Sequence, residues 1–330
     1  MKDNNPEISI IVPVFNSENY VKSFISCVFS SQNMPEFELI FVDDGSSDRT
    51  VDIIKHQLKL HSNIKIYTQK HLYQSEARNL GIKHARGKYL SFLDVDDEFS
   101  SDFFQKMVAA IDGKKLVISG IYRVINMDKK INESTSSIQK SSTKSDMINQ
   151  YLTHRVEMDS GVWNKLFKTE IIKKEKMWFV NKNFLEDTLF VFKYLTKIEP
   201  NDVGYINEPI YFYKRNDNTT TTIFQKDMDE LAKKFVFEIK NALDKCEINA
   251  RAKQTLVANV QLRTFTYVLH RHILDDASWD SGRQKEFCDR YLLKTNNQAN
   301  VSTKYRMSMV LAYRLPLLYR YLYKTFKRNR

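Results

Sequence analysis

Ser91-Phe92-Leu93-Asp94-Val95-Asp96-Asp97 sets three carboxylates within four positions at the end of a hydrophobic run that begins at Tyr89. Such a cluster repels itself unless a cation joins it. An isolated D-x-D is ordinarily a solvated turn. This one ends a β-like run, and open α/β sheets bind ligands at the C-terminal edges of their strands. A second acidic turn, Asp43-Asp44-Gly45-Ser46, follows the apolar run from Leu39 to Val42. Two parallel strands ending in carboxylates build one acidic crevice, suited to a hard divalent ion bridging a phosphorylated ligand.

Outward from these turns, Ile8 to Phe15 reads as a buried strand, because its apolar run is β-branched and too short for a helix. Asn16 and Ser17 are expected to cap the next helix, with Glu18 in its first turn. Glu38–Asp43, Ile64–Tyr67, Tyr89–Asp94 and Leu116–Ile121 read as further strands, with helical patterns between them. The alternation predicts an α/β fold with a mostly parallel sheet and helices on both faces. If Asp94 and Asp96 lie on extended backbone, they share a face and both point into the crevice. Asn126–Ser145 reads as an exposed loop, and Glu186-Asp187 opens a helix within Asn183–Leu195. From Gln225 onward the pattern is helical.

Composition narrows the class. The 330 residues are 42% hydrophobic, enough for a sizeable core, and length alone predicts two domains. Cys27, Cys246 and Cys288 are far apart and odd in number, which fits a reduced compartment without a disulfide framework or zinc spacing. The polar start Met1-Lys2-Asp3-Asn4-Asn5-Pro6 is unlike a signal peptide. No apolar run approaches the ~20 residues of a membrane span. A cytoplasmic protein is expected, peripheral on the inner face of the plasma membrane if its tail binds lipid. The net charge of +11 is uneven: Tyr291–Arg330 carries nine Lys/Arg and no Asp/Glu, leaving +2 for the rest. The basicity belongs to the tail, so no nucleic-acid partner is expected from the charge. Leu311 to Lys324 mixes Leu and Tyr with cations. It is expected to lie in an anionic headgroup region, the alternative being a helix packed on the core.

The first strand is followed by Val14-Phe15-Asn16-Ser17-Glu18, not G-x-G-x-x-G or G-x-x-x-x-G-K-[ST], which argues against dinucleotide and P-loop enzymes. Phe15, at the strand tip, is either a nucleobase platform or a core residue. Asp43 either accepts from a base or sugar or is a turn residue. Glu186-Asp187 is a helix-dipole pairing unless the fold brings it to the crevice.

Four ordered segments carry a resemblance: Pro13-Val14-Phe15-Asn16-Ser17-Glu18, Val42-Asp43-Asp44-Gly45-Ser46-Ser47-Asp48-Arg49-Thr50, Ala77-Arg78-Asn79-Leu80-Gly81-Ile82, and Phe92-Leu93-Asp94-Val95-Asp96-Asp97. Together they closely resemble family 2 glycosyltransferases of the GT-A fold, a Rossmann-like sheet flanked by helices. The match covers residues 7–110 strongly and continues weakly through Trp163-Asn164-Lys165-Leu166-Phe167, Glu186-Asp187 and Tyr211–Arg215. The resemblance implies a nucleotide-sugar-binding half over 1–115, an acceptor-binding and catalytic-base half over 116–224, and a helical region over 225–330. It implies a UDP-sugar donor, Mn2+ or Mg2+, inversion at the anomeric carbon, and a glycan or lipid-linked glycan acceptor, with a homodimer left open. By the same resemblance Phe15 packs on the base, Pro13 and Asn16 flank the nucleoside, and Asp43 reads the base. Arg78 lies near the nucleotide, Asp94 with Val95 beside it contacts ribose or sugar, and Asp96 ligates the metal. Asp187 is the general base with Glu186 next to it. As a mechanistic expectation beyond the resemblance, Arg78 with Lys214 or Arg215 assists the leaving group. His71 and Tyr73 stand where family members often carry Asn and Gly, which bears on donor choice.

Two rivals remain. Asp94-Val95-Asp96 also looks like the aspartyl nucleophile motif of haloacid dehalogenase-like phosphatases. That motif ends a first strand and precedes Thr, whereas this one ends a fourth and precedes Asp97-Glu98. A non-catalytic GT-A-like subunit has no need of all three acidic motifs.

Overall fold

The computed structural model describes residues 5–124, 130–180, 182, 184–214, 224–296 and 298–328. The chain divides into two units, residues 1–219 and 220–330.

The first unit begins with β1 (Ile8–Val14), α1 (Val21–Phe29), β2 (Phe37–Asp43), α2 (Thr50–Leu58), β3 (Ile64–Thr68), α3 (Tyr73–His84) and β4 (Tyr89–Phe92). β5 (Glu98–Phe99), α4 (Phe103–Ile111), β6 (Leu116–Val124), β7 (Lys130–Glu133), α5 (Lys144–His154) and α6 (Glu157–Ser160) follow. β8 (Lys165–Lys168), α7 (Thr169–Lys174), α8 (Glu186–Leu195) and β9 (Val203–Lys214) complete it. Among the described residues one sheet runs β3-β2-β1-β4-β8-β6-β9-β5, with β7 on β6. It is parallel from β3 to β4 and mixed beyond, because β8 enters antiparallel to both β4 and β6.

β1 is buried along its whole length, as its unbroken apolar run requires of a central parallel strand. Pro13 is tolerated there. Ile11 O faces β4, where it accepts from Leu93 N, and by strand parity Pro13 faces that side too, beyond the last paired residue. The β1–β2 register sets Val14 beside Asp43, and β2–β3 sets Asp43 beside Thr68, so these strands end level. Gly81 lets α3 lie close on β1, since a Cβ there would meet the Ile11 side chain at 2.4 Å. That approach fixes the height of α3 and of Arg78.

Three local expectations are corrected. α1 starts at Val21 with no side-chain cap. Asn16 instead uses Oδ1 to accept from Ser47 N at 2.8 Å, and Glu18 accepts from Arg49 N at 3.1 Å, tying the β1 loop to the β2 loop. β4 stops at Phe92. Asp97 N donates to Asp94 O at 3.2 Å, so the acidic run is a turn, and the shared-face argument for Asp94 and Asp96 on extended backbone does not hold. Asn126–Ser145 is not one exposed loop: 126–129 lie outside the described residues, β7 pairs with β6, and Ser136 and Ile138 are buried.

The second unit is helical: α9 (Met228–Asp244), α10 (Ala250–Asp275), α11 (Ser281–Cys288) running into a π turn, α12 (Lys294–Asn296), α13 (Thr303–Arg314) and α14 (Pro316–Arg328). Asn249, Asp280 and Ser302 accept from backbone N–H groups at the starts of α10, α11 and α13. Its interior includes Phe235, Ile239, Phe265, Leu269 and Leu292. His272 accounts for both ring nitrogens, with Asp229 at 2.9 Å and Asp276 at 3.2 Å.

Candidate active site

The tips of β1, β2 and β3 gather an aromatic and carboxylate cluster. Phe15 is 46% exposed, so it is not a core residue. The His71 ring lies 4.4 Å from Phe15 and 4.9 Å from Tyr73. Asp43 is buried, its Oδ1 accepting from Ser46 N at 3.1 Å and its Oδ2 from Gly45 N at 3.3 Å. Gly45, at φ +85°, makes that turn possible.

Asp44, which sequence reasoning passed over, organises the next loop. Its Oδ1 accepts from Gln69 Nε2 at 2.7 Å and Leu72 N at 2.8 Å. Its Oδ2 accepts from Tyr73 N at 2.9 Å and lies 2.8 Å from His71 Nδ1. These bonds hold Tyr73 at φ +71°, a conformation that costs a non-glycine residue ~1–2 kcal/mol. Tyr73 thus takes a positive φ that a glycine adopts freely, and its ring stands beside the Phe15–His71 pair.

α3 grips a segment about a hundred residues away. Ser75 Oγ donates to Lys182 O. Asn79 Nδ2 donates to Phe179 O at 2.9 Å while Phe179 N donates back to Asn79 Oδ1 at 2.8 Å, closing a two-bond ring. Arg78, 1% exposed, lies between these grips. Its Nη1 donates to Asp187 Oδ1 at 2.6 Å and lies 3.8 Å from Glu186 Oε1, and its Nη2 donates to Asp94 Oδ1 at 3.1 Å. Gln74 Nε2 donates to the same Asp94 oxygen at 2.8 Å. The guanidinium sits 5.2 Å from the Phe179 ring centre, and Phe179 stacks on Phe190 at 4.1 Å. The D-x-D turn and the E-D pair therefore meet at one cation. Leu185, at φ +53°, bends the chain into α8 so that Glu186 and Asp187 start the helix. Tyr211 OH donates to Asp97 at 2.6 Å. Val95 and Asp96 lie partly exposed in the turn. The side chain of Lys214 and all of Arg215 lie outside the described residues.

The charge balance is uneven. Burial alone would lower the Arg78 pKa, but Asp187, Asp94 and Glu186 outweigh it and hold it above its ordinary value. Burial pushes the Glu186 carboxyl well up, Asp187 adds to this, and Arg78 opposes it. Burial also raises Asp187, with Asp94 adding and Arg78 and Lys165 opposing, although its side chain keeps 22% of its surface. The Val162 backbone amide opposes the rise as well. That amide belongs to a loop pinned by the fully buried Lys165, whose Nζ donates to Met158 O at 2.6 Å, Gly161 O at 2.5 Å and Asn164 Oδ1 at 2.9 Å. Three acceptors match the three N–H bonds of an ammonium.

Among the described residues no three His, Cys, Asp or Glu side chains form a ready-made metal cage. A nucleotide-linked Mg2+ or Mn2+ site does not need one, since one or two carboxylates suffice when phosphates complete the shell. Asp94 and Asp96, hard oxygen donors in a crevice where carboxylates outnumber the paired cation, fit that chemistry.

An open sheet with this strand order, acidic turns at its C-terminal edge and no glycine-rich phosphate loop defines the GT-A class of nucleotide-sugar transferases. The glycosyl transferase family 2 model matches residues 9–174, and the chain belongs to that family. The uncharacterized glycosyltransferase EpsJ of Bacillus subtilis (strain 168) is 30% identical over 230 residues, covering 68% of this chain and 66% of that protein, just under two thirds of it. The poly(ribitol-phosphate) beta-N-acetylglucosaminyltransferase TarS of Staphylococcus aureus is 24% identical over 79% of this chain and 44% of its own length. The crystal structure of S. aureus TarS 1-349 in complex with UDP-GlcNAc aligns with 98% of this chain and 92% of that chain, with TM-score 0.70 and 19% identity. The mannosyltransferase PcManGT of Pyrobaculum calidifontis, in complex with GDP-Man and Mn2+, aligns with 95% of this chain and 88% of that chain, with TM-score 0.51 and 13% identity.

Proposed function

We propose that this protein is a metal-dependent inverting glycosyltransferase. It moves a hexosyl or N-acetylhexosaminyl group from a UDP-sugar to a hydroxyl of a glycan acceptor, including a lipid-linked one, in cell-surface polysaccharide or glycoconjugate synthesis. The observation that carries this reading is Arg78 bonded to both Asp94 and Asp187, which joins the donor-side turn to a carboxylate suited to act as base.

In this reading the nucleoside lies across Phe15 and Asn16 beside Pro13, with the base read by Asp43. Asp94 and Val95 hold the ribose or sugar side. Asp187 removes the acceptor proton as that oxygen attacks the anomeric carbon opposite the departing diphosphate, a role worth ~10²–10⁴ in rate. Arg78 keeps the Asp187 carboxylate aimed, and its raised pKa makes it a better proton acceptor than a solvated carboxylate. Glu186, held largely protonated by burial, lowers the negative charge beside the base. Mn2+ or Mg2+ bound at Asp96 supplies Lewis-acid neutralisation of charge on the diphosphate.

The test is a thermal-shift and hydrolysis screen of nucleotide sugars with and without Mn2+. Metal-dependent stabilisation by a UDP-sugar, with slow release of UDP, is expected. Indifference to every nucleotide sugar sinks the reading in favour of a non-catalytic subunit.

A further inference from the structure

We propose that the outward face of α14 is a docking surface for an anionic lipid bilayer. The inference stands independently of the donor reading.

α14 has two unlike faces. One face holds the helix down: Tyr319 OH meets His270 Nε2 at 2.8 Å, the Tyr323 ring stacks on His270 at 3.8 Å, and Arg320 donates to Trp279 O and Ser281 Oγ, both at 2.8 Å. Those positions, with Pro316, recur at helical spacing. The opposite face carries Leu317, Leu318, Tyr321 and Leu322, and Phe326 borders the held stripe, all between 45% and 70% exposed. A helix fixed by one stripe ordinarily turns polar residues outward. This one turns out five large apolar side chains, a patch that marks an interaction surface. On α13, Met307 and Val310 are also exposed.

Charge chooses the occupant. Arg314 and Lys324 are exposed beside this face, Lys327 is exposed at the end of the held stripe near His270, and the forty residues from Tyr291 carry nine Lys/Arg and no acid. A second copy docked through the same face would bring like charges together at close range. An anionic headgroup layer offers the opposite sign to the cations and a hydrocarbon boundary to the Leu/Tyr/Phe stripe, which is how an interfacial helix binds. Among the described residues no helix is long and apolar enough to cross a membrane, so the contact lies along the surface.

The experiment is co-sedimentation of the full chain with phosphatidylcholine vesicles, with and without phosphatidylglycerol, at two salt concentrations. Wild type is expected to pellet with the phosphatidylglycerol vesicles and to weaken in salt. Lys324→Glu with Lys327→Glu should weaken binding by on the order of 25-fold or more, at about fivefold per lost cation. Leu318→Asp with Leu322→Asp should weaken it by at least roughly tenfold from lost apolar burial. Both pairs already face solvent, so the thermal transition of each variant should match wild type. Failure of folded wild type to bind phosphatidylglycerol vesicles overturns the proposal, as does equal binding by all three proteins. Concentration-dependent self-association without vesicle binding, abolished by the Leu pair, would assign the face to a second copy instead.

Discussion

The two units break the usual sorting of side chains in opposite directions. In the α/β unit a guanidinium and three carboxylates are largely withdrawn from water around Arg78. In the helical unit five large apolar side chains of α14 are left in it. Neither arrangement serves stability by itself. Buried ion clusters often contribute less than a hydrophobic replacement of similar volume, and exposed apolar stripes gain nothing from folding. On the readings proposed above, the contrast teaches that function leaves a different mark in each unit: preorganised charge around the candidate base, and uncovered apolar surface on the candidate docking helix.

The contrast can be broken first at the base. Asp187→Asn keeps the shape but removes the proton acceptor. Turnover with a responsive donor should fall by ~10²–10⁴ while donor affinity, read by calorimetry, stays within about twofold. Lost donor affinity with turnover kept would refute the assignment. Arg78→Met tests the buried charge itself. It strands the Asp94 and Asp187 carboxylates without their cation and should cost about 3–5 kcal/mol in urea unfolding. A loss near zero would mean the carboxylates simply neutralise. The smallest effect concerns pH. Burial raises the Glu186 carboxyl above its ordinary 4.5. The folded state then holds the proton more tightly than the unfolded one. The stabilisation is complete below 4.5 and is lost as pH rises through the raised value, with a slope of at most roughly 1.4 kcal/mol per pH unit. Glu186→Gln should flatten that slope in unfolding curves collected across the range.

Much of the α/β unit was legible because its signals are local. The runs at Ile8, Leu39, Ile64 and Tyr89 are short, apolar and bounded by turn residues, and the acidic turns follow them directly. What stayed hidden was set by partners distant in sequence. β9 escaped because Glu208 and Pro209 interrupt its apolar pattern, and its register with β6 shifts around Gly120. The grips of Ser75 and Asn79 escaped because backbone carbonyls and amides have no sequence signature. Asp44 was passed over for Asp43, since adjacent carboxylates look alike until a loop folds over one of them. Lys165, read only as part of a weakly matching segment, is fully buried because three acceptors close around its ammonium. In the tail, charge and apolar content were plain, but which face of α14 would be held and which presented depended on His270 and Trp279, some forty to fifty residues earlier.

The reach of α3 also imposes an order on synthesis. Arg78 and Asp187 are 109 positions apart, and Asn79 and Phe179 are 100 apart. At ~5–20 residues per second, the ribosome delivers Arg78 roughly 5–20 s before its carboxylate partner. Asp94 follows sixteen positions after Arg78, but the Nη1 that donates to Asp187 has only water to bond until α8 emerges.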